Sequence, residues 1–140
     1  MSLANASQET PAQGKLAELW IYPIKSCAGL RVPQARLRST GLQWDRHWML
    51  VDPQGRFVTQ RTLPQMAHLH ITLTEHELQV RAAHQPALAP LAIALTKSDH
   101  VRMSVQVWKS TVSALNEGDA AAEWFSQTMG QPLSLVRFDD

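Results

Sequence analysis

The 140 residues are 44% hydrophobic and 18% charged, with a formal net charge of +1, which fits one domain burying roughly two-thirds of its unfolded surface. No apolar run approaches the ~18 residues that cross a bilayer. The single cysteine, Cys27, excludes an internal disulfide and fits a reducing cytoplasm.

Residues 1–14 are rich in Ser, Ala, Gln and Asn and lack the basic start and apolar segment of a signal peptide. They read as a disordered leader to one domain over 15–140. Leu16 to Tyr22 is a strand candidate ended by Pro23, which lacks the donor a central ladder needs. Leu30 to Leu37 alternates again, with Pro33 marking an edge or bulge. Trp48–Val51 and Arg56–Thr59 flank Asp52-Pro53-Gln54-Gly55, whose residues suit a type I turn, so the spacing predicts a hairpin. Leu69–Leu73 and Glu77–Arg81 predict a second hairpin around Thr74 to His76. Leu88–Leu95, Val101–Trp108 and Thr111–Leu115 follow as strands.

One helix interrupts the strands, over about 119–129. Asp119 is placed to cap it, and Ala121, Trp124, Phe125 and Thr128 recur at helical spacing. Gly130 and Pro132 end it. Short strands with a turn every eight to twelve residues predict a mainly β fold. The expected form is a small β-barrel or sandwich of mostly antiparallel strands with one C-terminal helix.

Charge is uneven along the chain. Residues 15–61 carry eight basic against three acidic side chains, a net +5, and residues 62–140 carry five against eight, a net −3. An anion is attracted to the first half. Arg36, Arg38 and Arg56 read as solvated side chains on strand faces.

Two polar clusters end the apolar runs of this basic half. Lys25 offers a compact cation with three donors, and the Ser26 hydroxyl adds a donor and an acceptor, so the pair can hold an oxyanion at a strand end. An ordinary loop with an exposed lysine is the bland alternative. Arg46 has a planar fork suited to phosphate or carboxylate, oriented by Asp45. In an extended segment Trp44, Arg46 and Trp48 share a face; an Asp45–Arg46 structural ion pair is the alternative. Arg61 reads as bordering such a site. A shared site requires the strand end at Pro23 to adjoin the Trp44–Trp48 segment.

Other candidates carry less. Cys27 lies near Lys25, but no histidine stands at a catalytic spacing, so a small packed residue beside Gly29 is the better reading. His68 and His70, with His76 or Glu77, have the residue types of a metal site but weak spacing, and read as surface side chains. Trp20, Trp108 and Trp124 read as core.

The ordered blocks Tyr22-Pro23-Ile24-Lys25-Ser26-Cys27-Ala28-Gly29, Gly41-Leu42-Gln43-Trp44-Asp45-Arg46-His47-Trp48-Met49 and Gly55-Arg56-Phe57-Val58-Thr59-Gln60-Arg61 carry a family resemblance. The closing Gly118–Ser126 helix and Leu133–Val136 strand extend it from about Lys15 to Phe138. The chain resembles the N-terminal β-barrel domain that precedes the MOSC domain in bacterial molybdenum-cofactor proteins and in the mitochondrial amidoxime reducing component. The resemblance implies that Lys25, Ser26 and Arg46 contact the molybdopterin cofactor, while the metal-ligating cysteine belongs to the MOSC domain that follows.

It further implies an accessory domain of an oxidoreductase acting on N-hydroxylated compounds, with a MOSC domain as partner and a flavin or iron–sulfur electron donor. The molybdenum cofactor is then expected only in the complete two-domain protein. The chain alone is expected to be inactive and to hold no cofactor or metal. The rival is a stand-alone, non-catalytic binding module for a protein, an anionic ligand or single-stranded nucleic acid. Modest aromatic content argues against nucleic acid, and nothing points to a membrane.

Overall fold

A computed structural model describes residues 12–97 and 99–139. Most of the expected leader, residues 1–11, lies outside them, and residues 12–14 are exposed and irregular. The chain is mainly β, with antiparallel strands and one α-helix. Among the described residues the strands form separate sheets, and no ladder closes into a barrel.

Strand β1 is only Trp20–Ile21, pairing with β2, Leu30–Arg31. The seven-residue strand expected at Leu16 to Tyr22 is thus cut to its last part. The run from Leu30 to Leu37 is split as well: after Pro33 the chain re-pairs only as β3, Leu37–Arg38, against β4, Gly41–Leu42.

Strand β5, Trp48–Val51, is buried on both faces. It starts the expected hairpin, in which the Gly55 amide donates to Asp52 O at 2.9 Å and Asp52 Oδ1 accepts from the amides of Gln54 and Arg56, each at 2.9 Å. Gly55 takes φ 78°, the left-handed turn of a bulged hairpin. The return arm pairs only briefly: Val51 bridges Phe57, then Arg56 bridges Gln106 on another strand.

The next hairpin follows its alternation closely. A 3-10 helix over Pro64–His68 leads into β6, Leu69–Leu73, which pairs with β7, Glu77–Ala82. Strand β8, Leu91–Ala94, extends this sheet. His68 therefore sits in the 3-10 helix rather than on one strand face with His70, and both are exposed.

Strands β9, Val101–Val107, β10, Ser110–Asn116, and β11, Ser134–Arg137, complete a sheet ordered β5-β11-β10-β9. Helix α1, Asp119–Met129, packs against β11 and β8. Its cap is Gly118 rather than Asp119, which falls in the first turn. Gly130 closes it at φ 73° with its amide on Ser126 O.

The core lies on both faces of the β5 sheet. Trp48, Leu50 and Leu135 meet Phe125 of the helix and Leu69, Leu78 and Val80 of the three-stranded sheet. Met49, Val51, Val105, Ala114 and Val136 form the opposite cluster. Trp124 joins the core as expected, but Trp20 is 47% and Trp108 70% exposed. The alternation explains both. Ile21 takes the inward phase of β1, and Val105 and Val107 take that of β9, so each tryptophan falls on the outward phase.

A polar cluster is buried where the sheets meet. Both carboxylate oxygens of Glu117 bond the Arg137 guanidinium, and they also accept from Trp48 Nε1 at 2.6 Å and contact His100 Nε2 at 3.0 Å. Arg137 donates onward to the carbonyls of Ala94, at 2.6 Å, and Leu95, at 2.7 Å. No buried side-chain polar atom among the described residues lacks a partner, as a low-dielectric interior requires.

Candidate functional site

The end of β1 and the turn before β5 are locked together by Asp45. Its Oδ1 accepts from the Tyr22 amide at 2.7 Å, and its Oδ2 from Arg46 Nη1 at 2.6 Å. Backbone bonds reinforce the join: Arg46 N to Tyr22 O at 2.7 Å, Trp48 N to Pro23 O at 3.0 Å and Lys25 N to Trp48 O at 3.0 Å. The strand end and the Trp44–Trp48 segment are therefore neighbours.

That segment is not extended. Trp44 at φ 69° and Arg46 at φ 49° take left-handed turn geometry, so the expected shared face of Trp44, Arg46 and Trp48 does not exist. The Trp44 ring, partly buried, stacks on Trp48 at 5.6 Å and packs against the core. Arg46 turns outward and lies 4.9 Å from the Tyr22 ring. The aromatic surface beside the arginine is thus Tyr22, and the Asp45–Arg46 ion pair stands beside the site.

Lys25, Ser26, Arg46 and Arg61 line one open cavity of about 700 Å³, with Tyr22, Cys27, Phe57, Thr59, Gln60, Thr62 and Trp108. Gln60 Nε2 donates to Ser26 O at 2.6 Å, tying the Thr59–Thr62 turn to the Ser26 backbone. Ser26, Arg46 and Trp108 all have positive φ, at 70°, 49° and 55°. Left-handed geometry costs roughly 1–2 kcal/mol per non-glycine residue, and such strain persists where surrounding structure enforces it.

Electrostatics distinguish the groups. Partial burial, with the Arg46 charge nearby, lowers the Lys25 pKa. Its ammonium stands 4.2 Å from the Phe57 ring centroid and 5.5 Å from that of Trp108. Cys27 is 1% exposed, and burial pushes its thiol up to about 12. A protonated, enclosed thiol is neither a nucleophile nor a metal ligand. Among the described residues no group of three or more His, Cys, Asp or Glu is placed to hold a metal.

Sequence reasoning missed Tyr22, Phe57 and Trp108 as cavity residues. Tyr22 and Phe57 lay inside the very blocks that carry the resemblance. Trp108 reads as core by residue type, although its phase opposite Val105 and Val107 points outward.

Residues 13–132 match the MOSC N-terminal beta barrel domain family. Mitochondrial amidoxime-reducing component 1 of Homo sapiens is 31% identical over 132 residues, covering 90% of this chain and 38% of that protein. Molybdenum cofactor sulfurase of Drosophila mojavensis is 29% identical, covering 88% of this chain and 16% of that protein. The chain therefore spans well under half the length of these relatives. A Bordetella bronchiseptica protein solved in solution shares the fold at a TM-score of 0.66 and 23% identity, covering 86% of this chain and 88% of that one.

Proposed function

The chain belongs to the MOSC N-terminal beta barrel domain family, and on that premise we propose that it is the accessory domain of a MOSC-type molybdenum-cofactor oxidoreductase acting on N-hydroxylated compounds. The observation that carries the proposal is the convergence of Lys25, Ser26 and Arg46 on one open cavity, which Arg61 also lines. Two cations and a hydroxyl fit the anionic phosphate end of a pterin cofactor.

They do not fit its metal, which needs soft or anionic ligands; the MOSC domain supplies these. When bound, the cofactor supplies redox chemistry at its metal. Lys25 and Arg46 would neutralise the phosphate and Ser26 would orient it, with Gln60 of the Thr59–Thr62 turn bracing the Ser26 backbone. The domain alone is inactive and holds the cofactor weakly or not at all. The relatives' names support the cofactor assignment, and a flavin or iron–sulfur partner delivers electrons. The cytoplasm suits the unpaired Cys27. No described helix is long and apolar enough to cross a membrane.

The test uses the complete two-domain protein. Lys25→Ala and Arg46→Ala should each lower molybdenum and pterin content per polypeptide, while circular dichroism shows the domain still folded. Hydrogen bonds to charged groups are worth about 1.5–3 kcal/mol, so cofactor affinity should fall about tenfold or more. Full occupancy in both variants would overturn the reading. The exposed Trp108 beside the cations favours a second reading, a stand-alone module for an anionic ligand such as single-stranded nucleic acid. A salt-dependent shift of a labelled oligonucleotide at micromolar protein would support it.

A further inference from the structure

Lys25 and Arg46 carry like charges into one cavity, and among the described residues no carboxylate lines it. Asp45 is bonded to Arg46 and to the Tyr22 amide, so it does not neutralise Lys25. Something else must hold the Lys25 ammonium toward a second cation. The groups in place are rings: Phe57 at 4.2 Å and Trp108 at 5.5 Å for Lys25, and Tyr22 at 4.9 Å for Arg46. An aromatic face attracts a cation without cancelling its charge. A carboxylate in the same place would occupy the donors an incoming anion needs.

Trp108 is otherwise hard to account for. At 70% exposure it contributes little to the core. It occupies the turn between β9 and β10 at φ 55°, where glycine or asparagine would be unstrained. Its ring lies 5.2 Å from Phe57, so the two form one corner beside the ammonium. Neither burial nor turn chemistry asks for an indole here.

We propose that Phe57 and Trp108 are positioning residues that seat the Lys25 ammonium beside Arg46 in place of a carboxylate, and so leave its donors free for the phosphate. This rests on the anion-holding reading of Lys25, Ser26 and Arg46. It adds how two like charges stay convergent in one cavity. The lowered Lys25 pKa agrees with it, since the ammonium is partly buried and feels the Arg46 charge.

The test is phosphorus NMR of the 140-residue chain titrated with inorganic phosphate at pH 8, where phosphate is a dianion, and in a second arm with methyl phosphate. Acetate, which carries no phosphorus, serves as the competing monoanion and is read by its displacement of phosphate. The chain alone should bind both phosphates weakly, as part of the full cofactor site, and prefer them to acetate. Trp108→Leu should weaken binding about three- to tenfold, the range expected from losing one cation–π contact. Trp108→Phe should restore most of it, and thermal midpoints should stay unchanged because the indole is exposed. The Lys25 side-chain ε resonances should move in Trp108→Leu as the ring current is lost.

Lys25→Ala abolishing binding while Trp108→Leu binds like the parent would overturn the aromatic seat and leave the anion site standing. Trp108→Phe behaving like Trp108→Leu would overturn it too. Unchanged phosphate binding in Lys25→Ala would instead sink the anion site itself. Rejection of methyl phosphate, or equal binding of acetate, would overturn the phosphate reading on which the seat rests.

Discussion

A thiol two residues from Lys25 invites a chemical role, and the surroundings of Cys27 decide against one. The side chain is 1% exposed and joins the core with Ile24, Trp48 and Leu69. Its pKa near about 12 leaves almost no thiolate at neutral pH. Cys27 should therefore resist a thiol-specific disulfide reagent at pH 8 in the folded chain, and react fully in urea. Rapid reaction of the folded chain would show that this wall opens. Lys25, two positions earlier, is half-buried at the cavity, so Cys27 packs the core while Lys25 lines the open surface.

At the scale of elements, legibility followed length. Strands β6, β7, β9 and β10 and helix α1 repeat their period over enough residues to be read directly. Strands β1 to β4 span two residues each, because turns, Pro23 and Pro33 interrupt them, and no period survives in so short a segment. The site was legible in part for the same reason. Lys25, Ser26, Arg46 and Arg61 lie in blocks close in sequence, whereas Trp108 joins them from the distant β9–β10 turn. The left-handed geometry of Trp44 and Arg46 was also hidden, since neither residue type favours it.

Gly29 links the first hairpin to the site. A Cβ there would lie 2.8 Å from the Tyr22 ring, so that ring must move. Because Tyr22 is partly exposed, the chain should absorb the shift in Gly29→Ala at about 1 kcal/mol or less. Arg46, which leans on that ring at 4.9 Å, should lose its orientation. The expected outcome is a near-normal thermal midpoint with weakened phosphate binding and shifted Tyr22 ring resonances. Normal binding would mean that Asp45 alone orients the arginine.

Across the whole molecule, Trp48 joins the cavity to the interior. Its backbone bonds Pro23 and Lys25, its ring carries Trp44, and its indole N–H donates to Glu117. Glu117 in turn binds Arg137, whose guanidinium spans to the carbonyls of Ala94 and Leu95 beside the other sheet. Burial alone would raise the Glu117 pKa, but bonds from Arg137, His100 and Trp48 outweigh it and hold the carboxyl below the usual carboxylate range.

A carboxylate whose folded pKa is depressed contributes stability that is fully present above its unfolded value, near about 4.3, and lost as pH falls through the folded one. The parent chain should accordingly lose stability as pH drops below that unfolded value. Glu117→Gln leaves the Arg137 charge buried without a counter-ion, which costs about 3–5 kcal/mol at neutral pH. That deficit should shrink as the medium is acidified, because the parent's carboxylate is then neutralised as well. Urea unfolding of both chains from pH 7 to pH 3 measures this directly. Curves that stay parallel over that interval would show that Glu117 is not the group coupling acid to unfolding, and that Arg137 is held chiefly by the two carbonyls.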